Sequence, residues 1–204
     1  MRLPTFRGGV HPPEKKELSQ DSQLSVLPPP ERVYVFLANH AGVPAKPVVS
    51  IGDRVRTGQL IAEAGGFISA NLHSPLTGEV KEIAKYYHPT LAKPDDAIVI
   101  DRTGEDEWDL LQPAKPFDQF LPEEIVQRVK SAGIVGLGGA MFPTSVKLSP
   151  PKDKKIDLLV INVAECEPYL TIDYRFMLER SEGVVRGILA LMRALNVEEA
   201  IVGI

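Results

Sequence analysis

At 204 residues, with 44% hydrophobic and 25% charged side chains and a formal net charge of -4, the chain has the composition of one large globular domain or two small ones. The acid excess removes the electrostatic reason to expect nucleic acid as a partner, no stretch approaches the roughly 18 consecutive apolar residues of a spanning helix, and Met1 to Pro13 lacks the apolar centre of a signal peptide. Cys166 is the single cysteine, so these residues can form neither an intrachain disulfide nor a cysteine-held zinc or iron-sulfur cluster.

Residues 1–30 are rich in proline, with Pro4, Pro12, Pro13, Pro28, Pro29 and Pro30. Proline fixes φ and removes a backbone donor, so this segment is expected to be an extended arm, with His11 as a packing residue. Residues 31–100 form the first compact unit. Val33 to Leu37, Val48-Val49, Leu60 to Ala64, Leu72 to Pro75 and Thr77 to Val80 read as short strands, with Gly52-Asp53 as a turn, which predicts a small β-sandwich or barrel. Asn71 and His73 are expected to pack, with facing a ligand as the alternative.

Residues 101–133 read as a connector that ends in a helix. Pro122-Glu123-Glu124 opens it with proline in the first turn and acids at the positive end of the dipole, Ile125, Val129 and Ala132 recur at helical spacing, and Gly133 ends it.

The run Ile134 to Pro150, IVGLGGAMFPTSVKLSP, follows directly. Gly136, Gly138 and Gly139 are expected to let the backbone turn tightly, reach positive φ and approach a ligand closely, with Phe142 as an apolar plate and Lys147 as a cation. That combination suits a planar ring carrying phosphate. The spacing lacks the third glycine of the dinucleotide fingerprint and the Gly-Lys-Ser/Thr of a P-loop, so an ordinary turn beside a core phenylalanine is the alternative.

Residues 156–163 are an apolar run of strand type, and Glu165 and Glu167 follow its carboxyl end, where open α/β sheets bind ligands. Solvated loop charges are the alternative. Apolar residues from Phe176 to Leu195 then recur at helical spacing, Asn196 stops the run, and residues 200–204 are the next strand, which makes a parallel crossover unit.

Two sets of residues carry a resemblance to known proteins. GLGGAMFPTSVK and NVAECEPYLTIDYR resemble the flavin and NADH loops of the flavoprotein subunit of respiratory complex I. FRGGVHPPEKK, GIVGLGGAMFPTSVKL and ECEPYLTIDYRFMLE, over nearly the whole chain, resemble the C subunits of Rnf electron-transport complexes. The stretch VVSIGDRVRTGQLIAEAGGFISANLHSPLTGEVKEI resembles the biotinyl and lipoyl carrier fold, but residues 65–71, where the carrier lysine would sit, contain no lysine. A swinging arm is therefore chemically excluded, and a docking or structural role is expected.

The resemblance implies α/β plus β architecture: a barrel-sandwich, biotinyl/lipoyl-like β unit followed by the first half of a Rossmann-like flavin domain at 134–204. It also implies FMN and NAD(H) as cofactors, with hydride transfer from NADH to the flavin and one-electron release to iron-sulfur clusters held beyond residue 204. The implied partners are the other subunits of a membrane electron-transport complex and, indirectly, ferredoxin. The implied location is peripheral, on the cytoplasmic face of the bacterial inner membrane. Carried over by position, Gly136, Gly138, Gly139 and Ala140 would line the flavin and nucleotide phosphates, Phe142 would stack on nicotinamide or adenine, and Lys147 would pair with phosphate or a flavin carbonyl. Asn162 would hydrogen-bond the flavin ring, and Glu165 and Glu167 would reach ribose hydroxyls or the nicotinamide amide. Both loops are expected to share one ligand. Ala164 stands where complex I has an acid, so one flavin contact is missing, and the ending at Ile204 reads as a strand cut short. The 204-residue chain alone is therefore expected to bind FMN weakly or not at all. A corrinoid reductase sharing this flavin loop, or a non-catalytic docking module, are the alternatives.

Overall fold

The computed structural model describes residues 10, 12–109, 115–151 and 153–204, with Phe117 described by its backbone alone; His11 lies outside the described residues. In chain order the elements are a 3-10 turn at Lys16–Leu18, β1 (Arg32–Phe36), β2 (Lys46–Pro47), β3 (Arg54–Val55), β4 (Leu60–Glu63), β5 (Leu72–His73), β6 (Gly78–His88), β7 (Lys93–Arg102), a 3-10 turn at Phe117–Gln119, α1 (Pro122–Ser131), α2 (Thr144–Lys147), β8 (Leu158–Asn162), α3 (Ile172–Glu179), α4 (Ser181–Leu195) and β9 (Glu199–Gly203). They fall into two compact units. One holds residues 28–156 with 193–196; the other holds 1–27, 157–192 and 197–204.

The first unit is built on two antiparallel sheets, ordered β1-β7-β6-β3 and β2-β4-β5. Ala97 to Ile100 in β7 are all buried, as expected of an apolar run in a strand flanked by neighbours on both edges. Ile98 and Ile100 close on Val55, Ile61, Leu76 and Val80, so strands of both sheets share one core. The segment after β7 returns to this unit. Thr57 donates to Asp106 at 2.8 Å, and the backbone N–H of Thr77 donates to the same carboxylate oxygen at 3.1 Å.

The Thr57 hydroxyl, and then the Thr77 amide, hold the Asp106 carboxyl below its ordinary pKa. A folded-state pKa below the unfolded one gives stability that is present above the unfolded value and lost as pH falls through the folded value. Asp106→Asn keeps the acceptor oxygen but cannot titrate. We expect this variant to lose less stability than the parent as pH falls below about 4, measured by urea unfolding at a series of acidic pH values.

Helix α1 begins and ends as its sequence predicts. Pro122 occupies the first turn, and the Glu124 carboxylate turns back to accept the Leu121 N–H at 2.6 Å. At the other end Gly133 takes φ 65, its N–H reaches the Lys130 carbonyl, and the Ile134 N–H reaches that of Val129, which is a Schellman closure. Asn71 braces this end. Its amide donates to the Ser131 carbonyl at 3.1 Å while its side-chain oxygen accepts the Ala64 N–H at 2.9 Å. His40, buried, accepts the Ala70 N–H, and Ser69 donates to the Val43 carbonyl, so the carrier-like tip at 65–71 is tied down on both sides.

In the second unit β8 and β9 pair in parallel, Leu158 opposite Glu199 through Asn162 opposite Gly203. Parallel neighbours need a crossover, and α3 and α4 supply it. The expected single helical run is instead broken at Arg180, which leaves the helical region at φ -129. Asn196 ends α4 in the left-handed region at φ 52, a conformation that asparagine tolerates better than most residues.

Candidate functional site

The glycine loop leaves the Schellman closure of α1 and folds back as a short hairpin. Val135 bridges Pro143 in antiparallel fashion, the Gly136 N–H donates to the Phe142 carbonyl at 2.9 Å, and the Met141 N–H closes a turn on Gly138 at 3.0 Å. The expected positive φ at the glycines is not found: Met141 carries it at φ 45, because the residue that completes the turn is the one forced into the left-handed region. Of the three glycines, only Gly136 has a close neighbour where a side chain would go. A Cβ on Gly136 would lie 2.6 Å from the Lys147 ammonium, whereas one on Gly138 or Gly139 would meet nothing within 4 Å.

Ala140 is exposed at the same tip, and Phe142 is half-buried beneath it. Lys147 ends α2 in the same unit, so its charge stands over the backbone at Gly136. Neither conformation nor internal packing requires glycine at 138 and 139.

Asn162, the last residue of β8, and Glu165 and Glu167, which follow it, lie in the other unit. Asn162 turns its side-chain oxygen back to the Ala164 N–H at 3.1 Å. Glu165 is almost buried; one of its oxygens accepts the Asp173 N–H at the start of α3 at 2.9 Å, and the other lies 3.8 Å from the Lys16 ammonium. Glu167 is exposed, which leaves its carboxylate open to a ligand. Of the three, Glu165 borders a cleft of about 640 Å³ lined also by Glu14, Lys16, Thr171, Tyr174 and Met177, at the strand ends where open α/β sheets bind ligands; Asn162 and Glu167 are not among its lining residues.

Lys16 and its neighbours in the arm were not legible as site residues, because their partners lie about 150 positions away and no local pattern marks them. Among the described residues no His, Cys, Asp or Glu cluster could hold a metal ion, and no helix is long and apolar enough to cross a membrane. Cys166 is exposed in the acidic loop.

Residues 4–105 match the RnfC barrel sandwich hybrid domain. The chain belongs to the RnfC family. Residues 129–204 match the Nuo51 FMN-binding domain, a stretch that includes both the glycine loop and the acidic loop. Among curated relatives, the chain is 46% identical over 203 residues to the C subunit of the proton-translocating ferredoxin:NAD(+) oxidoreductase complex of Clostridium ljungdahlii, covering 99% of this chain and 44% of that protein. It is 41% identical to the C subunit of the ion-translocating oxidoreductase complex of Rhodobacter capsulatus, covering 98% of this chain and 39% of that protein. It is 39% identical to the C subunit of the Na(+)-translocating ferredoxin:NAD(+) oxidoreductase complex of Acetobacterium woodii, covering 98% and 45% respectively. This RnfC-family chain thus spans less than half the length of these relatives. The barrel-sandwich β unit and the α/β flavin-type unit expected from the residues are those the matches describe.

Proposed function

We propose that this chain is part of a peripheral subunit of an ion-translocating electron-transport complex, and that it helps to hold FMN and NAD(H) for electron exchange between the nicotinamide and ferredoxin. The observation that carries this reading is the pair Gly138 and Gly139, whose missing side chains leave open space at an exposed turn inside the stretch matching an FMN-binding domain. A flat ring or a phosphate needs that close access to the backbone. Lys147, beside Gly136, offers a cation to phosphate or to a flavin carbonyl, and Phe142 offers an apolar face. Asn162, Glu165 and Glu167 are the polar groups proposed for the flavin ring, ribose hydroxyls and nicotinamide amide. Bound FMN would supply the conversion between two-electron hydride chemistry and one-electron transfer, for which the protein's contribution is orientation and electrostatics.

Iron-sulfur clusters, other subunits and ferredoxin belong to the whole assembly, and the cytoplasmic face of the membrane is the proposed location. The reading is tested by titrating the full-length protein with FMN and then with NADH. FMN uptake followed by bleaching of the flavin band near 450 nm by NADH is expected, on the order of one flavin per chain for a resident cofactor. A protein that takes up no FMN contradicts the reading. Glu167→Gln should lower NADH oxidation by about tenfold, since an exposed carboxylate that accepts from ribose or amide contributes a charge-assisted hydrogen bond. Undiminished oxidation would remove Glu167 from the site.

A further inference from the structure

We propose that Lys16 is a positioning residue for the acidic loop, acting from the N-terminal arm; this rests on the flavin and NADH reading above. The arm is not a free tether. The Lys16 ammonium donates to the Leu170 carbonyl at 2.9 Å and to the Glu167 carbonyl at 3.2 Å, and it lies 3.8 Å from the Glu165 carboxylate. Around it the Tyr169 N–H donates to the Glu14 carbonyl at 2.7 Å, Ser19 donates to the Tyr169 carbonyl at 2.8 Å, and Thr171 donates to Ser19 at 2.9 Å. The loop carbonyls of Glu167, Tyr169 and Leu170 are therefore all held by side chains of the arm.

Within the loop itself, Glu165 also accepts the Asp173 N–H. Tyr169 sits at φ 68, a conformation that persists only when its surroundings impose it, and the carboxyl end of the loop passes straight into α3. Further along, Arg175 donates to the Gln20 carbonyl and the Glu179 carboxylate accepts the Leu24 N–H, so the arm is fastened to α3 as well. Within this set of contacts, Lys16 is the cation that touches the loop backbone on both sides of Tyr169 and faces Glu165, whose side chain is only 9% exposed. It fixes where the exposed Glu167 side chain starts from, and it compensates a carboxylate that has little water to do so. Lys15, the preceding residue, is half exposed, and among the described residues its ammonium approaches Glu17 at 4.0 Å.

The test uses the full-length protein with Lys16→Met, Lys16→Arg and, as a control, Lys15→Met. Amide hydrogen exchange over residues 165–173 should speed up by about tenfold in Lys16→Met, because the donor serving two carbonyls is gone. The KM for NADH should rise by about tenfold with kcat changed far less, the pattern of lost ground-state binding. Lys16→Arg should restore both, since a guanidinium has donors enough for both carbonyls. Lys15→Met should match the parent. Unchanged exchange in Lys16→Met overturns the strap. Faster exchange with an unchanged KM shows that the strap is only structural and overturns the positioning role. A parent protein that oxidises no NADH removes the nicotinamide reading instead, and exchange alone then decides whether Lys16 orders the loop.

Discussion

Gly138→Val and Gly139→Val are each expected to weaken FMN binding to the full-length protein by about tenfold to a hundredfold, the effect of forcing a branched side chain into a close contact. Both should leave thermal stability within about 0.5 kcal/mol of the parent, as surface substitutions do. Glycine is demanded inside a protein either by a backbone conformation or by a neighbour too near for a Cβ. Neither glycine has a left-handed φ, and neither has a heavy atom within 4 Å of where the Cβ would be. We propose that a ligand lying against the backbone is the demand these glycines meet.

Gly136→Ala makes the useful contrast, because its Cβ would displace the Lys147 ammonium and not a ligand directly. Ammonium groups at the end of flexible stems move cheaply, so that variant should bind FMN with a smaller loss and a weaker salt dependence. Fluorescence titration of FMN, paired with a melting curve on the same samples, separates the cases. Parent-like affinity in both valine variants would return this loop to plain architecture.

Local chemistry made some of this molecule readable and left other parts opaque. Helix α1 could be bounded from its residues, since Pro122, Glu124 and Gly133 each act on backbone groups within one turn. The parallel pair β8 and β9 could be placed from two apolar runs separated by helical periodicity. Strands β6 and β7 were harder. Lys81, Glu82 and Lys85 interrupt the alternation of β6, and Lys93-Pro94-Asp95-Asp96 opens β7 with residues that disfavour strands; cross-strand pairing of Lys85 with Asp96 and Tyr86 with Asp95 is what carries both segments outward.

The break at Arg180 was marked by Ser181 and Gly183, poor interior helix residues that the apolar periodicity on either side outweighed. At the site, the glycines were legible as an exposed loop, but the reason for them was not. Positive φ is the natural expectation, yet Met141 takes it while Gly138 and Gly139 face open space. The arm was read as extended because proline dominates it. Its hold on residues 165–179 depends on side chains meeting across most of the chain length, which periodicity cannot register.

Gly133→Ala should cost roughly 2–4 kcal/mol, the sum of a left-handed backbone and a steric clash. The residue sits at φ 65, and a Cβ there would fall on the carbonyl oxygen of Asn71, backbone that cannot swing aside. Gly52 has φ 93 but open space around it, so Gly52→Ala isolates the conformational part at about 1 kcal/mol. Equal losses in the two variants, measured by urea unfolding, would show that the contact with Asn71 is unimportant. The expected difference has a functional reach, because Gly133 is where the glycine loop departs from α1 and Asn71 closes the tip between β4 and β5. In a carrier that tip would present a lysine; here it is tied to His40 and Val43 and grips the end of α1. Asn71 thus links the tip to the end of α1, from which the glycine loop departs. Any substitution that shifts Asn71 should therefore disturb FMN binding through Gly133, without touching the loop itself.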